Sequence, residues 1–371
     1  METPWNSWLD GGNPPWFEMA ERVGGDAASL VGADPDEVVL AGTTTVNLHA
    51  LVSTFYEPTP ERSVILADEL NFPSDLYALG SQVALRGFDP GKSLKLAVSD
   101  DARTLHEEKI IGEMTSDVCL VLLPSVLYRS GQLLDMERLA RAARERDIPI
   151  GFDCAHSAGA IPHRLSEWGV DFAFWCSYKY MNSGPGSPAF LYVNRRHFGK
   201  MPALAGWFGY DKARQFDMNL EFIPAGTAGA WQISSPSILG SAAVGGALKV
   251  TLEAGIDRIR AKSLEMTSFF MRLVDEYLSG EPYNFRIGTP REPERRGGHV
   301  ALEHPTEALR INEALIARGV IPDFRPPHVI RIAPVALYNT FTEVWQVAMH
   351  LKEIIENREY EKFSKVRKAV S

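Results

Sequence analysis

Along the first two thirds of the chain, short unbroken apolar runs alternate with longer stretches in which apolar and charged positions interleave. Val64-Ile65-Leu66, Val118 to Leu122, Ile148 to Phe152, Phe172 to Trp175 and Ala189 to Val193 are runs of the first kind, and their continuity predicts strands covered on both faces. Between two of them, Met136, Leu139, Ala140 and Ala143 recur at i, i+3, i+4 and i+7 among Glu137, Arg138, Arg141 and Arg144, which predicts an amphipathic helix lying on a sheet. Strands and helices in alternation predict βαβ units and a mostly parallel sheet.

Beyond residue 260 the pattern changes. A helical period runs from Lys262 to Leu278, a Pro/Arg/Gly-rich stretch follows, and His299 to Leu302 and Val329 to Ile332 read as strands. Thr340 followed by Glu343, just ahead of Val344, Val347 and Leu351, is the capping box that opens a last helix. The expected organisation is an N-terminal segment, 1–40, packing across both lobes, a large domain over 41–260 and a small α+β domain over 261–371. A chain of 371 residues suits two lobes, because single cores stop growing at about 250–300 residues.

Composition narrows the function classes. With 45% hydrophobic and 23% charged residues the chain is ordinary globular protein, which excludes disordered, collagenous and disulfide-scaffold classes. Its 38 basic against 47 acidic side chains leave a net charge of −9 and no basic stripe, so nucleic acid is not an expected partner. Cys119, Cys154 and Cys176 are odd in number, sit in apolar runs and lack metal-site spacing, so they read as small buried hydrophobes in a reducing compartment and no metal is expected. The opening METPWNSWLDGG has no secretory pattern and no apolar run approaches a membrane span. A cytoplasmic protein is expected.

Five constellations carry candidate chemistry. In Ser177-Tyr178-Lys179-Tyr180-Met181-Asn182-Ser183-Gly184-Pro185-Gly186, a lysine follows a buried strand and precedes a glycine-rich turn. It is either a snorkelling strand-end lysine or a desolvated amine able to form a Schiff base. In Gly151-Phe152-Asp153-Cys154-Ala155-His156, also at a strand's carboxyl end, Asp153 fits the partner of a pyridinium nitrogen and equally a turn or cap residue. Ala41-Gly42-Thr43-Thr44-Thr45 opens a helix with small and hydroxylic residues, as a phosphate site or a plain N-cap does. Asn71-Phe72-Pro73-Ser74-Asp75 offers an aromatic face for a flat ring, or is only a turn. Arg331, in the apolar run Val329 to Ile332, suits bidentate recognition of a carboxylate, or is a sheet-edge charge facing solvent.

Taken together, the five describe an enzyme that holds pyridoxal 5′-phosphate on Lys179 and an amino-acid carboxylate on Arg331. The order of the threonines, FPSD, DxAH, SYKY, GWFG and RIAPxxLYNTF resembles that of the kynureninases, of the class V, fold type I group, over about residues 8–355. The resemblance implies a large domain with a seven-stranded mostly parallel sheet, a smaller α+β C-terminal domain, and a homodimer with active sites between subunits. It further implies that Lys179 carries the cofactor and moves the α-proton, Asp153 pairs with the pyridine nitrogen, His156 lies beside the cofactor and Phe72 stacks on its ring. Thr44 and Thr45 cradle the phosphate with Asp75 lining the same site, Tyr178 contacts phosphate and serves in proton transfer, and Trp207 reaches the phosphate side from the partner subunit. The implied reaction is hydrolysis of the Cβ–Cγ bond of L-kynurenine or a ring-substituted kynurenine, such as 3-hydroxykynurenine, to an anthranilate and L-alanine. The alternatives are a class V aminotransferase or another lyase using the same cofactor on a different amino acid; a desulfurase would need a mobile reactive cysteine.

Three departures from the family pattern concern substrate fit. Members carry several tens of residues upstream of the point where this chain opens, including a stretch that helps close the site. Ser235 stands where relatives have Asn or Thr near the aryl ring, and is expected to line both cofactor and substrate. Pro124 replaces a hydroxyl residue, and Leu9 falls near a ring-binding His or Trp.

Overall fold

Each of the five apolar runs forms a strand in the computed structural model, which describes residues 15–367. They belong to a seven-stranded sheet of β1 (Val38–Ala41), β2 (Val64–Asp68), β3 (Leu94–Ala97), β4 (Val118–Pro124), β5 (Ile150–Asp153), β6 (Phe172–Cys176) and β7 (Ala189–Val193), in the order β1-β7-β6-β5-β4-β2-β3. From β3 to β6 all neighbours are parallel, while β7 runs antiparallel to both β6 and β1. Every residue of β2, β4, β5, β6 and β7 is buried, as unbroken apolar runs require. Helices α1 (Met19–Ala28), α2 (Thr44–Phe55), α3 (Pro73–Leu85) and α4 (Met136–Arg144) pack on the sheet, and α5 (Ile238–Ala254) follows β7 further along the chain. Helix α4 buries Met136, Leu139, Ala140 and Ala143 as its period predicts, and Asp135 caps it by accepting from the Arg138 amide at 3.0 Å; such a cap contributes about 1 kcal/mol.

The chain divides into two compact units. The first holds this sheet and comprises the residues up to 99 with 105–125 and 134–253; the second comprises 100–104, 126–133 and the chain from Ala254 onward. Residues 15–40 lie in the first unit, where α1 packs on β1. In the second unit β8 (Arg286–Ile287), β9 (Val300–Glu303), β10 (Asp323–Arg325) and β11 (Val329–Ile332) form an antiparallel sheet in the order β10-β11-β9-β8. Helices α6 (Ile256–Tyr277), α7 (Ala308–Ala317) and α8 (Phe341–Glu356) complete its core, around Phe270, Leu302, Ile311, Leu315, Ile330 and Leu351. Helix α6 starts six residues before the expected Lys262, because its first turns carry Asp257, Arg258 and Arg260 around the buried Ile259 and so hide the period.

The capping box forms as read: the Glu343 amide donates to Thr340 Oγ1 at 3.2 Å and the Thr340 amide to Glu343 Oε2 at 2.7 Å. Among the described residues no helix is long and apolar enough to cross a membrane. Leu9 lies outside the described residues.

Candidate active site

Four neighbouring parallel strands end side by side, and the expected Asp153 is the last residue of one of them while Lys179 and His156 follow in the loops. β2 ends at Asp68, β4 at Pro124, β5 at Asp153 and β6 at Cys176, three residues before Lys179. Pro124 pairs with Asp153 and Asp153 with Phe174 across the ladders, so the carboxyl edge brings these side chains to one rim. In open α/β sheets that rim is where ligands bind.

The loops after β5 and β6 meet there. Lys179 Nζ lies 3.0 Å from His156 Nε2. Their close approach depends on Gly159, whose φ of +85° is one that L side chains rarely adopt and whose added Cβ would lie 3.0 Å from Met181 Cγ and 3.2 Å from the Tyr180 carbonyl. Asp153 is held at both ends. Its Oδ1 accepts from the Ala155 amide at 2.7 Å, and its carbonyl accepts from the Ser125 amide at 2.8 Å and Ser125 Oγ at 2.9 Å. A buried chain continues from there, Ser125 Oγ to Ser157 Oγ at 2.6 Å and Ser157 Oγ to His163 Nε2 at 2.8 Å.

Asp153 is not the only buried acid at this edge. Asp75, near the start of α3, lies close enough to it for each to act on the other's charge, and Asp68 is close enough to Asp75 to do the same. Burial pushes the Asp75 carboxyl well above the ordinary range, and the Asp153 charge adds to the effect. Burial raises Asp153 too, while the Lys179 ammonium, the Ala155 amide and the nearby Asp75 carboxyl pull it back. Asp75 is therefore the member that keeps its proton, as expected of two carboxyls in one dry site. Burial also pushes Asp68 up to about 7; the Leu70 amide and Asn71 approach it closely enough to favour its charged form, but neither oxygen has a partner in hydrogen-bond geometry.

On the same unit, α2 and α3 start next to each other: Thr45 Oγ1 is 3.0 Å from Ser74 Oγ. Thr44 and Thr45 are half-buried, and Thr43 makes no side-chain cap, so the first amides of α2 have no hydroxyl of Thr43 on them. Gly42 precedes them at φ +46°, with Asn47 Oδ1 2.9 Å from where a Cβ would stand, so the backbone turns where a side chain has no room. Phe72 caps α3 with its ring 43% exposed. Tyr178, next to Lys179, is exposed, and burial of its phenol followed by the nearby Cys176 raises its pKa.

Two expected residues stand apart from this cluster. Trp207 is exposed and packs edge-on against Phe216 with centroids 5.8 Å apart, and Ser235 is exposed on the stretch before α5. In the second unit Arg331 lies in β11, which is paired on both sides and so is not a sheet edge. Its Nη1 donates to the Tyr128 carbonyl at 2.7 Å and its Nη2 to Asp323. Sequence reasoning gave no role to Asp68, Ser74, Ser125, Ser157 and His163. Ser74 stood inside the FPSD motif, and Asp68 carried the signal of an acid directly after the apolar Ile65-Leu66-Ala67.

A half-buried amine, a carboxylate beside a protonated neighbour, free helix amides beside hydroxyls and an exposed aromatic ring form one donor set that fits a phosphorylated pyridine aldehyde; the buried Asp75 Oδ2, without a hydrogen-bond partner, belongs to the same set. The fold agrees. Cysteine desulfurase from Thermococcus onnurineus NA1 superposes with a TM-score of 0.77 at 18% identity over 92% of this chain and 84% of that one. A variant of the lyase C-DES with glycine covalently linked to its PLP cofactor does so at 0.78 and 15%, over 92% and 87%. The fold is fold type I of the pyridoxal-phosphate-dependent enzymes. A kynureninase from Geobacillus thermodenitrificans (strain NG80-2) is 55% identical over 97% of this chain and 83% of its own length, one from Bacillus anthracis is 53% identical over 99% and 85%, and the kynureninase C-terminal domain family matches residues 259–351. The chain belongs to the kynureninase family.

Proposed function

We propose that this protein hydrolyses the Cβ–Cγ bond of L-kynurenine, or of a ring-substituted kynurenine such as 3-hydroxykynurenine, to an anthranilate and L-alanine, using pyridoxal 5′-phosphate held at Lys179. The observation that carries the reading is the Lys179–His156 contact beside the buried acids Asp75 and Asp153 at the carboxyl edge of the sheet, in a chain akin to kynureninases over nearly its whole length.

When bound, the cofactor supplies an electron sink for the bonds around the substrate's amino-bearing carbon. Lys179 would hold it through its amine, and the same amine would move the proton at Cα. Asp153 meets the ring nitrogen and keeps its proton in place, and Asp75, itself neutral, orients that carboxylate. His156 fixes the Lys179 amine from the side, and Phe72 stacks on the ring. Thr44 and Thr45 take the phosphate with the first amides of α2. Tyr178, its pKa raised, stays a proton donor at neutral pH and serves as general acid. Arg331 receives the substrate's α-carboxylate.

The active form is a homodimer. Trp207, Phe216, Met218 and Leu220 leave large apolar side chains in solvent on one stretch of the first unit, and such a surface favours a partner; Trp207 and Ser235 then serve the partner's site. Three buried free thiols suit the cytoplasm. They also argue against desulfurase chemistry, because burial raises all three and pushes Cys154 up to about 12, far from a reactive thiolate.

Anthranilate fluorescence tests the reading directly. The purified, cofactor-loaded chain is expected to release anthranilate and alanine together from kynurenine. Release of neither from kynurenine or 3-hydroxykynurenine, with the cofactor's visible band present, would overturn it.

A further inference from the structure

Arg331 and Asp323 stand directly opposite each other in the β10–β11 ladder, and Arg325 lies two residues from Asp323 on the same face. One oxygen, Asp323 Oδ2, accepts from both guanidinium groups, from Arg331 Nη2 and, at 2.7 Å, from Arg325 Nη2. The Arg331 side chain is only 12% exposed against 35% for Asp323. Arg325 has its guanidinium carbon 5.9 Å from the Tyr128 ring, and its Nε–H is buried without a hydrogen-bond partner. Two cations thus share one carboxylate through a single atom, and one buried donor is unmet.

We propose that Asp323 is the resident counter-ion of the carboxylate-binding arginine: it pairs with Arg331 until a ligand carboxylate arrives and then turns wholly to Arg325. The inference rests on Arg331 being the carboxylate receptor proposed above. A buried guanidinium with no anion is strongly unfavourable, which gives Asp323 its place in the absence of ligand. The incoming carboxylate takes the Arg331 donor that Asp323 leaves. Asp323 keeps the Arg325 Nη2–H and gains the vacant Nε–H, which makes a side-on bidentate pair. Charge then balances, two guanidinium groups against two carboxylates, with only hydrogen bonds exchanged. Each carboxylate ligand therefore binds against an internal competitor. That weakens the hold on the alanine product as well as on the substrate, and it gives a neutral ligand nothing to displace.

The test uses the cofactor-loaded full chain and two ligands, L-alanine and L-alaninamide, with dissociation constants read from the shift of the cofactor's absorption band. Asp323→Asn is expected to bind L-alanine about tenfold more tightly, equivalent to ~1.4 kcal/mol. Arg325→Gln is expected to bind it about tenfold more weakly, since Asp323 then has Arg331 as its one cation. L-Alaninamide should change by less than about twofold in both. Unchanged or weaker alanine binding by Asp323→Asn, or shifts of the same sign in the two variants as a purely structural role would give, overturns the proposal. Arg331→Gln separates the layers. If it keeps the preference for alanine over the amide, the underlying assignment of Arg331 fails; if it loses that preference while Asp323→Asn does not tighten, the counter-ion role alone fails.

Discussion

Asp68 offers the sharpest test of the electrostatics at the sheet edge. It is fully buried at the end of β2, neither oxygen is in hydrogen-bond geometry with a partner, and its folded-state pKa is about 7. In the unfolded chain the same carboxyl titrates near 3.8. Between those values the folded protein keeps a proton that the unfolded chain has lost, so the unfolded state binds fewer protons and stability falls as pH rises through the window. The gap is about three pH units, and at ~1.36 kcal/mol each the penalty levels off near 4 kcal/mol above neutrality. Asp68→Asn is neutral at every pH and keeps the shape. Relaxation around the ionised wild-type group lowers the ceiling, so the variant is expected to be about 2–4 kcal/mol more stable at about pH 8 and nearly equal to wild type at about pH 4.

For a unit of this size, 1 kcal/mol moves Tm by about 2–4 °C, which puts the gain at ~4–16 °C at the higher pH. Thermal melts of the cofactor-free protein, followed by circular dichroism across the pH range, measure it. A lower Tm for the variant at the higher pH refutes the reasoning. A gain that is the same at both ends of the range refutes it equally, since titration is then not its source.

Other expectations are simpler. Lys179→Ala should lose the cofactor's visible band and more than about a thousandfold in kcat while melting as wild type does in the cofactor-free state, checked by absorbance and anthranilate release. Arg331→Gln should raise KM for kynurenine by at least about thirtyfold with a smaller change in kcat, as loss of a charged hydrogen-bonded partner worth 2–5 kcal/mol requires. Thr340→Ala should destabilise the second unit by about 1 kcal/mol in denaturant melts and leave KM unchanged. Iodoacetamide at neutral pH should leave the native enzyme active, because all three thiols are buried and their pKa values raised; rapid inactivation would point to a thiol that opens to solvent.

The sheet was legible where burial on both faces leaves no polar position to break a run, as in β4 and β7. It was not legible at β3, an edge strand whose Lys95 is partly exposed, nor at β10, where Asp-Phe-Arg reads as a polar turn. The capping box was visible because its two partners lie three residues apart in the chain. Lys179, Asp153 and His156 were singled out for a similar reason, each standing at the end of an apolar run or in the loop just after it. The order of the remaining motifs carried the family resemblance, and with it Thr44, Thr45 and Phe72.

What local pattern cannot carry is a role set by a neighbour on another strand. Asp323 is an ordinary strand-end acid until the β10–β11 register sets it against Arg331. Asp68 looks like the turn after β2 until the sheet order brings β2, β4 and β5 together and makes it the third buried acid beside Asp75 and Asp153. Burial is the main reason Asp75 keeps its proton, and the neighbouring Asp153 and Asp68 charges add to it. A group of acids of this kind raises the affinity of that rim for a further cation. A protonated ring nitrogen placed against Asp153 is a cation of that kind, so the acids that destabilise the empty fold are the same groups that favour the charged form of the cofactor.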